Sequence, residues 1–488
     1  MKKSLIQLGI LTTALSLGWG ASSGQTTSSR PNIILVMVDQ MRPDHLIGKK
    51  TPNLTTLAES GVLFLHDYTA APLCCPSRNS IITGLYPSQT GIYGNQTGPI
   101  SNNLRDSTFM NKLQASGYYT ALIGKHHYID RFETGTDIVK TDAEAVKKYG
   151  FNSVTQVLDV TETMPNADNT QNIDDYIYYL RKKGLVNQYF DNLRDSLKVG
   201  RHPLTSPDSQ DGFIGLSASS FIEDYHKKKP FYLNVSFVGP HPPYEVPAAF
   251  SRTSPSDTED PIGEGAEPNN ATKRKRAIYD DMIAQIDMYV GKMVAALKKN
   301  HLWDNTVIIF TADHGDNLGD FGIWDKRYFY EQSVEVPFFI TGKGIPGRDV
   351  RVGAVASKSL TSSLDIYPTI MDLAGIRQVP SNLGGIDLMD IIDGKESAFR
   401  DVVYSQLGTL VMIRTARWKM VFDPEEGGTY YLFNLVNDPR ELHNLAGVAG
   451  YEEVTAGLTV KLLSFYIKMY QSTQLKEQLR LQKVRVGL

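Results

Sequence analysis

The segment Asn32-Ile33-Ile34-Leu35-Val36-Met37-Val38-Asp39-Gln40 joins six consecutive apolar residues to two polar ones. An apolar run without alternation is typical of a β-strand that is buried on both faces. The stretches at residues 231–237 and 307–310 have the same character. Such strands occur in parallel sheets that helices cover on either side, so the sequence predicts an α/β fold. We expect a large mixed, mostly parallel sheet with helices on both faces.

Segments with helical periodicity lie between these strands or follow them. Apolar residues recur at helical spacing across residues 273–299, and a second helix is predicted at residues 364–373. After Asp401 the pattern changes to short apolar runs separated by turn residues, which predicts an antiparallel sheet. A closing helix is expected at residues 452–476, and it would pack on that sheet.

Composition and charge exclude several classes of protein. The 488 residues include 50 Lys and Arg against 53 Asp and Glu, a formal net charge of −3, which leaves no basic footprint for nucleic acid. The sequence contains two cysteines, Cys74 and Cys75, and adjacent cysteines cannot cross-link distant parts of a fold. A disulfide scaffold is therefore excluded.

The N-terminus has the layout of a secretory signal peptide. Two lysines come first, an apolar stretch follows, and small residues lead to Gly24. We therefore expect residues 1–24 to be removed and the protein to be periplasmic or secreted, with no membrane span after cleavage. The mature chain would consist of an N-terminal α/β domain, residues 25–400, and a smaller C-terminal subdomain, residues 401–488, with the antiparallel sheet and a helix.

Polar side chains with complementary chemistry directly follow the apolar runs. Because ligands bind at the carboxyl ends of strands in open α/β sheets, we expect these side chains to share one edge. A weaker run at residues 118–123 contributes to the same edge. The residues that follow the four runs are Asp39, Gln40, Lys125, His126, His127, His241, Asp313 and His314. Asp316 and Asp320, slightly further along the chain, are interpreted as turn residues instead.

Oxygen ligands among these residues predict a site for a hard cation. Asp39, Gln40 and Asp313 offer carboxylate and amide oxygens, which suit Ca²⁺ or Mg²⁺. His314 adds a nitrogen ligand, which is less usual for calcium. Zn²⁺ is an alternative, although the sequence lacks the His-x-His and His-Glu-x-x-His spacings of zinc sites.

Residues 73–87, Leu-Cys-Cys-Pro-Ser-Arg-Asn-Ser-Ile-Ile-Thr-Gly-Leu-Tyr-Pro, predict a short helix. Pro76 suits the beginning of a helix, and Gly84 suits its end. Cys74 would then lie at the helix N-terminus, with Arg78 one turn away. The helix dipole and the guanidinium both favour an anion at that position. A buried free cysteine without function is the alternative, and these surroundings disfavour it.

Cys74-Cys75-Pro76-Ser77-Arg78, followed by Thr83-Gly84-Leu85-Tyr86-Pro87, resembles the signature of the type I, formylglycine-dependent sulfatases of the alkaline phosphatase superfamily. Other segments resemble the same family in the expected order, and the resemblance covers nearly the whole mature chain. They include Gly124-Lys125-x-His127, Pro240-His241-x-Pro243, Ala312-Asp313-His314-Gly315 and Asn434-Leu435-x-x-Asp438-Pro439.

The resemblance implies a mechanism and a role for each matched residue. Cys74 would be converted to formylglycine by a separate maturation enzyme, and a hydroxyl of the hydrated aldehyde would attack sulfur and displace the alcohol. The second hydroxyl could then expel sulfate and regenerate the aldehyde. The implied ligands of one Lewis-acidic Ca²⁺ are Asp39, Gln40, Cys74, Asp313 and His314. Arg78, Lys125 and Lys326 would neutralise charge. His241 would be the general acid and His127 the base. The implied substrate contacts are Lys125, His241 and Lys326.

The sequence departs from many members of that family at three positions. Gln40 stands where a second Asp is common, and His314 stands where Asn is common. Both alternatives occur in the family, so the two residues are kept in the expected ligand set. His126 stands where Trp is often found, and we interpret it as a packing residue or a substrate contact.

The expected substrate is a sulfate ester on a carbohydrate, such as a glycosaminoglycan-derived saccharide, and export fits such a role. Further candidate contacts with the sugar are Asn95, His202, Trp324 and Arg327. A phosphonate or phosphate ester hydrolase of the same superfamily is the alternative, since formylglycine phosphonate hydrolases share the nucleophile. A calcium-dependent glycan-binding protein without activity is disfavoured, because the whole set of matched catalytic residues is present.

Overall fold

The computed structural model of the chain describes residues 30–95, 99–128, 138–159, 173–194, 200–345, 355–395 and 400–486. The signal peptide expected at residues 1–24 lies outside the described residues. Within the described ranges, none of the helices combines the length and the apolar character needed to cross a membrane.

An eight-stranded sheet forms the centre of the larger part of the protein. The strands before residue 400 are β1 (Asn32–Val38), β2 (Val62–Tyr68), β3 (Tyr119–Gly124), β4 (Ser153–Gln156), β5 (Gly200–Arg201), β6 (Phe231–Phe237), β7 (Glu245–Val246), β8 (Thr306–Ala312), β9 (Glu335–Thr341) and β10 (Val355–Ser362). The order across the large sheet is β10-β2-β9-β8-β1-β6-β3-β4, while β5 pairs with β7. Within this sheet β9 runs antiparallel to both neighbours and the other pairs are parallel, which confirms the predicted mixed, mostly parallel sheet.

Helices cover both faces of the large sheet, as predicted. In chain order they are α1 (Pro52–Glu59), α2 (Cys74–Thr83), α3 (Pro87–Thr90), α4 (Asn102–Arg105), α5 (Phe109–Ala115), α6 (Ile138–Lys147), α7 (Asp175–Lys182), α8 (Val186–Arg194), α9 (Gln210–Glu223), α10 (Asn270–Lys299), α11 (Glu331–Val334), α12 (Ile366–Leu373) and α13 (Met389–Ile392). Apolar residues of α1, α7, α8, α9 and α10 pack on one face. Those of α2, α5, α6, α12 and α13 pack on the other.

Burial on both sides of β1 explains why its sequence does not alternate. Every residue of β1 is buried. Ile34 and Val36 belong to the core on one face of the sheet, and Ile33 and Leu35 belong to the core on the other. The neighbours of β1 are β6 and β8, and both run parallel to it. The carboxyl ends of the three strands therefore meet at one edge of the sheet.

The two helices predicted from periodicity are present, with shifted beginnings. α10 begins at Asn270 rather than at residue 273, because the side chain of Asn269 caps it by accepting from the Thr272 N–H (3.0 Å). α12 begins at Ile366 rather than at residue 364, so Pro368 falls in its first turn, where no backbone donor is needed.

A smaller antiparallel sheet and a long helix form the C-terminal part of the chain. They are β11 (Val402–Leu407), β12 (Leu410–Thr415), β13 (Trp418–Asp423), β14 (Gly428–Asn434) and α14 (Glu452–Val486). Leu458 and Leu462 of α14 share a core with Ile413 and Met420 of the sheet. The predicted sheet and closing helix are confirmed, although α14 continues past its predicted end at residue 476.

A buried cluster of charges joins the C-terminal sheet to the larger domain. Lys419 Nζ lies 2.5 Å from Glu331 Oε1 and 2.6 Å from Glu441 Oε1. It also donates to the Phe329 carbonyl (2.8 Å), and the Lys419 side chain is fully buried. Glu331 begins α11 and Phe329 precedes it. The C-terminal sheet therefore holds the segment that follows Lys326, one of the expected catalytic cations.

Replacing Lys419 by Met should strongly destabilise the protein. The change leaves the buried Glu441 without its cation and leaves the half-buried Glu331 with a more distant arginine (3.9 Å). Breaking such a buried pair costs about 3–5 kcal/mol. Lys461→Met is the matched control, because it removes an exposed ion pair with Asp401 (2.9 Å) and should cost about 1 kcal/mol or less. Chemical denaturation gives both free energies of unfolding. Equal losses in the two variants would contradict the assignment.

Candidate active site

Four adjacent strands of the large sheet, β8, β1, β6 and β3, end at the same edge. The polar residues that follow them are therefore neighbours in space. Asp313 follows β8, Asp39 follows β1 and Lys125 follows β3, and all three side chains are buried. α2 brings Cys74 and Arg78 to the same edge. Residues that are far apart in the sequence thus form one buried polar site.

The N-terminus of α2 places Cys74 in this site. The helix begins at Cys74, and Pro76 takes its third position, where the missing N–H is not needed. Gly84 ends the helix in the left-handed conformation, with a φ of 68°. The side chain of Asn95, predicted as a sugar contact, accepts from the Cys75 N–H (3.1 Å) and so caps the first turn. The helix dipole favours a negative charge at Cys74.

Four buried side chains around this N-terminus could hold a metal ion. One ligand atom from each of Asp39, Cys74, Asp313 and His314 lies within 4.8 Å of the others. Cys74 Sγ is 3.1 Å from His314 Nε2 and 3.8 Å from Asp39 Oδ1. His314 Nδ1 donates to the Gly315 carbonyl (3.0 Å), which fixes the ring so that Nε2 faces Cys74. Two carboxylates and one imidazole in a buried group suit a divalent cation.

Nearby cations keep both carboxylates of this group ionised. Burial raises the pKa of Asp39, but Lys125 and His241, with further cations, hold this pKa well below its usual range. Burial also raises the pKa of Asp313, and Arg78 contributes most to holding it below the usual value. The ionised carboxylate is the form that binds a metal ion. The two carboxylates are therefore already in the charge state that a cation requires.

Gln40 lies beside this group, but its side chain has other partners. Its Oε1 accepts from Lys326 Nζ (2.7 Å), and its Nε2 donates to Asp316 Oδ2 (2.7 Å). Its backbone N–H donates to Asp313 Oδ1 (3.0 Å). Asp316 also accepts from the Leu318 N–H (2.8 Å), as expected for a turn residue. In the structure, the amide oxygen of Gln40 is therefore bonded to Lys326 and lies outside the group of four ligand atoms described above.

Arg78 and Lys125 connect the carboxylates of the site. Arg78 Nε donates to Asp313 Oδ2 (2.7 Å), and its Nη2 donates to Asp39 Oδ2 (3.1 Å). Lys125 Nζ lies 2.7 Å from Asp39 Oδ2 and 2.6 Å from Asp159 Oδ2. Both cations are buried, so these ion pairs are shielded from water. Each cation therefore has a fixed place beside Asp39.

The surroundings of Cys74 favour a negative charge. Burial raises the pKa of the Cys74 thiol, and so does Asp39. Lys326, Lys125 and His314 outweigh both and hold this pKa well below its usual range. An anionic group bound next to Cys74 would meet the same cations.

The two histidines predicted as acid and base lie at this edge as well. His241 Nδ1 donates to the Pro242 carbonyl (2.7 Å), which orients the ring. Burial raises the pKa of Asp159, but Lys125 lowers it most among the neighbours and brings it well below the usual range. His241 and His127 lower the same pKa further, so both imidazoles lie near this carboxylate. The structure therefore brings His127 and His241 together with Lys125.

Some side chains that contact the expected cations were not predicted from the sequence. Asp159 pairs with Lys125, and Ser236 Oγ accepts from Arg78 Nη1 (2.8 Å). Asp159 follows β4, whose four residues are too few and too mixed in polarity to predict a strand. Ser236 did leave a signal, because it is a polar residue near the end of the otherwise largely apolar β6.

The other predicted sugar contacts differ in their surroundings. His202 is buried, and its Nδ1 accepts from the Leu204 N–H (3.1 Å), while burial lowers its pKa to about 4. Trp324 packs against Lys275, whose Nζ lies 4.2 Å from the ring centroid. Arg327 is exposed. Among these three side chains, Arg327 is the most accessible to a large substrate.

Two family models match the chain. The model described as "Sulfatase" matches residues 31–376. The model described as "N-sulphoglucosamine sulphohydrolase, C-terminal" matches residues 319–468. Together the two matches cover the α/β domain and most of the C-terminal part.

Similar proteins are matched along most of their length. The choline-sulfatase of Rhizobium meliloti is 30% identical over 466 residues, which cover 86% of this chain and 83% of that protein. The arylsulfatase of Clostridium perfringens is 31% identical over 463 residues, which cover 87% and 92%. Among solved structures, the phosphonate monoester hydrolase of Agrobacterium radiobacter is 25% identical, with a TM-score of 0.73 over 90% of this chain and 96% of that one. A 2-O GAG sulfatase has the same fold, with 20% identity and a TM-score of 0.64 over 91% and 94%.

These findings confirm the resemblance seen in the sequence. The sulfatase model covers well over half of the chain, and relatives with at least 30% identity are matched over most of their length. The residues of the signature lie at one buried edge of the sheet, beside a group that could hold a metal ion. The chain therefore belongs to the sulfatase family within the alkaline phosphatase superfamily, and it is a sulfuric ester hydrolase.

Proposed function

We propose that this protein is an exported sulfatase that removes sulfate from a carbohydrate, using formylglycine at position 74 and one Ca²⁺. The position of Cys74, at a helix N-terminus between ionised carboxylates and buried cations, carries the proposal. The C-terminal family match supports a sugar substrate, because that model is named for a hydrolase of a sulfated glucosamine. Residues 1–24 would direct export, and a maturation enzyme would convert Cys74.

The proposed ligands of the cation are the four clustered side chains. Asp39, Asp313, His314 and the side chain at position 74, converted to formylglycine, would hold it. Gln40 would join them when its amide oxygen is released by Lys326. The two ionised carboxylates and the single imidazole favour a hard ion such as Ca²⁺ over Zn²⁺. A bound Ca²⁺ supplies Lewis-acid stabilisation of charge on a sulfate oxygen.

Lys125 and Lys326 are the proposed contacts for the charged sulfuryl group. Burial lowers the pKa of Lys125, but Asp159 and Asp39 outweigh burial and raise this pKa well above its usual value. Burial also lowers the pKa of Lys326, and Cys74 contributes most to raising it above the usual value. Both lysines therefore stay positive at neutral pH. Fixed positive charges of this kind stabilise charge that grows in a transition state.

His241 and His127 are the proposed proton carriers. His241 would donate a proton to the leaving alcohol oxygen from Nε2, because its Nδ1 is bonded to the Pro242 carbonyl. His127 would accept a proton in the step that releases sulfate. Asp159 lies near both imidazoles and pairs with Lys125 (2.6 Å), so one carboxylate links the proposed proton carriers to a proposed sulfuryl contact.

A phosphonate or phosphate ester hydrolase is the second candidate function. The likeness to a phosphonate monoester hydrolase supports it, as does 27% identity to the "Multifunctional alkaline phosphatase superfamily protein PehA" of Trinickia caryophylli. A sulfate monoester and a phosphonate monoester both carry one negative charge on a tetrahedral centre. The cations around Cys74 would therefore suit either group, and the rates must decide between them.

Cys74→Ala should abolish sulfate release, because alanine can neither be converted to formylglycine nor supply a nucleophile. We expect a loss of more than about a thousandfold in kcat. Cys75→Ala is the matched control: its thiol is equally buried, in the apolar core, so activity should be kept and stability should fall by about 1 kcal/mol. Released sulfate is measured by ion chromatography. Activity in Cys74→Ala would overturn the assigned nucleophile.

Removing calcium with a chelator should stop the reaction and lower the melting temperature. The buried carboxylates would lose their cation, and a ligand that binds the native state stabilises it by mass action. Adding Ca²⁺ back should restore both properties. Elemental analysis of the treated protein shows whether the metal has left. Full activity in protein shown to be metal-free would contradict the proposed role of Ca²⁺.

Comparing three esters with one leaving group should separate the two candidate functions. The probes are 4-nitrophenyl sulfate, 4-nitrophenyl phosphate and 4-nitrophenyl phenylphosphonate, so only the transferred group differs. We expect kcat/KM for the sulfate to exceed the others by at least about tenfold, because specificity is set by differences in transition-state binding. Faster cleavage of either phosphorus ester would favour the second candidate.

A further inference from the structure

His241 lies on an irregular segment between β6 and β7. Its Nδ1 bonds to the carbonyl of the next residue, Pro242, which orients the ring relative to its own backbone. Because this bond joins two adjacent residues, it does not fix the position of His241 relative to the sheet. The position of the imidazole therefore depends on how the backbone at residues 238–240 is held as it leaves β6.

The carboxylate of Asp211 holds this backbone. Its Oδ1 accepts from the Val238 N–H (2.9 Å) and from the Gly239 N–H (3.1 Å), and its Oδ2 also lies 3.1 Å from the Gly239 nitrogen. The contact is close, since a Cβ atom added to Gly239 would lie 2.4 Å from Asp211 Oδ2. Asp211 is buried. Two backbone amides are thus fixed just before His241.

Asp211 itself has a rigid support. It lies in the first turn of α9, where the helix dipole favours a carboxylate. Ser209 caps this turn by accepting from the Gly212 N–H (3.2 Å), and Gln285 of α10 donates to the Ser209 hydroxyl (2.7 Å). Burial raises the pKa of Asp211 to about 6, although its bonds to the two amides lower it, so the group is ionised at neutral pH.

A small cavity lies next to this support. Asp211, His241 and Gln285 line it, together with His202, and its volume is about 30 Å³. A space of this size takes about one water molecule. The segment that carries His241 is therefore not packed against its support on every side, and the bonds to Asp211 are what hold it there.

We propose that Asp211 is a positioning residue that places His241 for proton transfer to the leaving alcohol. This inference rests on the proposed function, in which His241 is the general acid. Asp211 acts through the amides of Val238 and Gly239 and touches no substrate atom. A basic leaving group needs the proton more than a weakly basic one, so its hydrolysis suffers most when the acid is misplaced.

Asp211→Ala should therefore lower kcat/KM for phenyl sulfate more than kcat/KM for 4-nitrophenyl sulfate. We expect the two losses to differ by about tenfold or more, because small misplacements of a catalytic group cost large factors in rate. His241→Ala should show the same selectivity between the two esters. The size of its effect is the upper limit for Asp211→Ala. Asp287→Ala is the matched control, since the buried Asp287 of α10 accepts from the Leu54 N–H (2.7 Å) and should affect both esters equally.

A second variant approaches the same contact from the other side. Gly239→Ala drives a methyl group against Asp211 Oδ2 and should show the same leaving-group selectivity. The double variant Asp211→Ala with Gly239→Ala should be no worse than the more damaging single change, because the change at position 211 removes the oxygen that the methyl group meets. Where Asp211→Ala does not fold, Asp211→Asn keeps one carbonyl oxygen for the amides and should show a smaller loss of the same kind.

The outcomes separate this inference from the proposed function. If His241→Ala is selective for the basic leaving group but Asp211→Ala matches Asp287→Ala, the positioning role is wrong and the proposed function stands. If His241→Ala lowers both rates equally, the general acid is misassigned and the inference falls with it. If wild-type enzyme that carries formylglycine releases sulfate from neither aryl ester and from no sulfated saccharide, the proposed function itself fails.

Discussion

Asp39 and Asp313 follow adjacent parallel strands, so the fold places two buried carboxylates side by side. Such a pair is unfavourable unless cations compensate it. Arg78 donates to one oxygen of each carboxylate, and Lys125 bonds to Asp39. Because Arg78 lies one turn after Cys74 in α2, the contacts that compensate the carboxylates also fix the proposed nucleophile. Charge compensation at the sheet edge thus determines where the chemistry takes place.

The C-terminal part of the protein also helps to hold the cations of the site in place. Lys326 bonds to Gln40 at the end of β1, and the segment that follows it is held by the buried cluster around Lys419. The small antiparallel sheet therefore supports a cation of the site, although its own strands end elsewhere.

The sheet and most of the site could be predicted from the sequence, because strands buried on both faces leave unbroken apolar runs and the polar residues after them mark one edge. The antiparallel direction of β9 left no such signal, since an apolar run has the same pattern in either direction. Asp159 and Asp211 were missed for another reason: their partners Lys125 and Gly239 are distant in the sequence, and an isolated Asp carries no pattern. The bond between the Gln40 amide oxygen and Lys326 was missed as well, because the spacing of residues along the sequence does not determine such side-chain geometry.

The proposed mechanism depends on position 74 being formylglycine in the active enzyme. The direct test is to prepare the protein with increasing amounts of a formylglycine-generating enzyme and to measure two quantities for each preparation. Peptide mass spectrometry gives the fraction of Cys74 in which the CH2–SH side chain has become the aldehyde CH=O, and sulfate release gives the specific activity. With formylglycine as the nucleophile, specific activity should rise in proportion to the converted fraction and be absent without conversion. Equal activity in unconverted protein, with the thiol of Cys74 intact, would contradict the proposed mechanism.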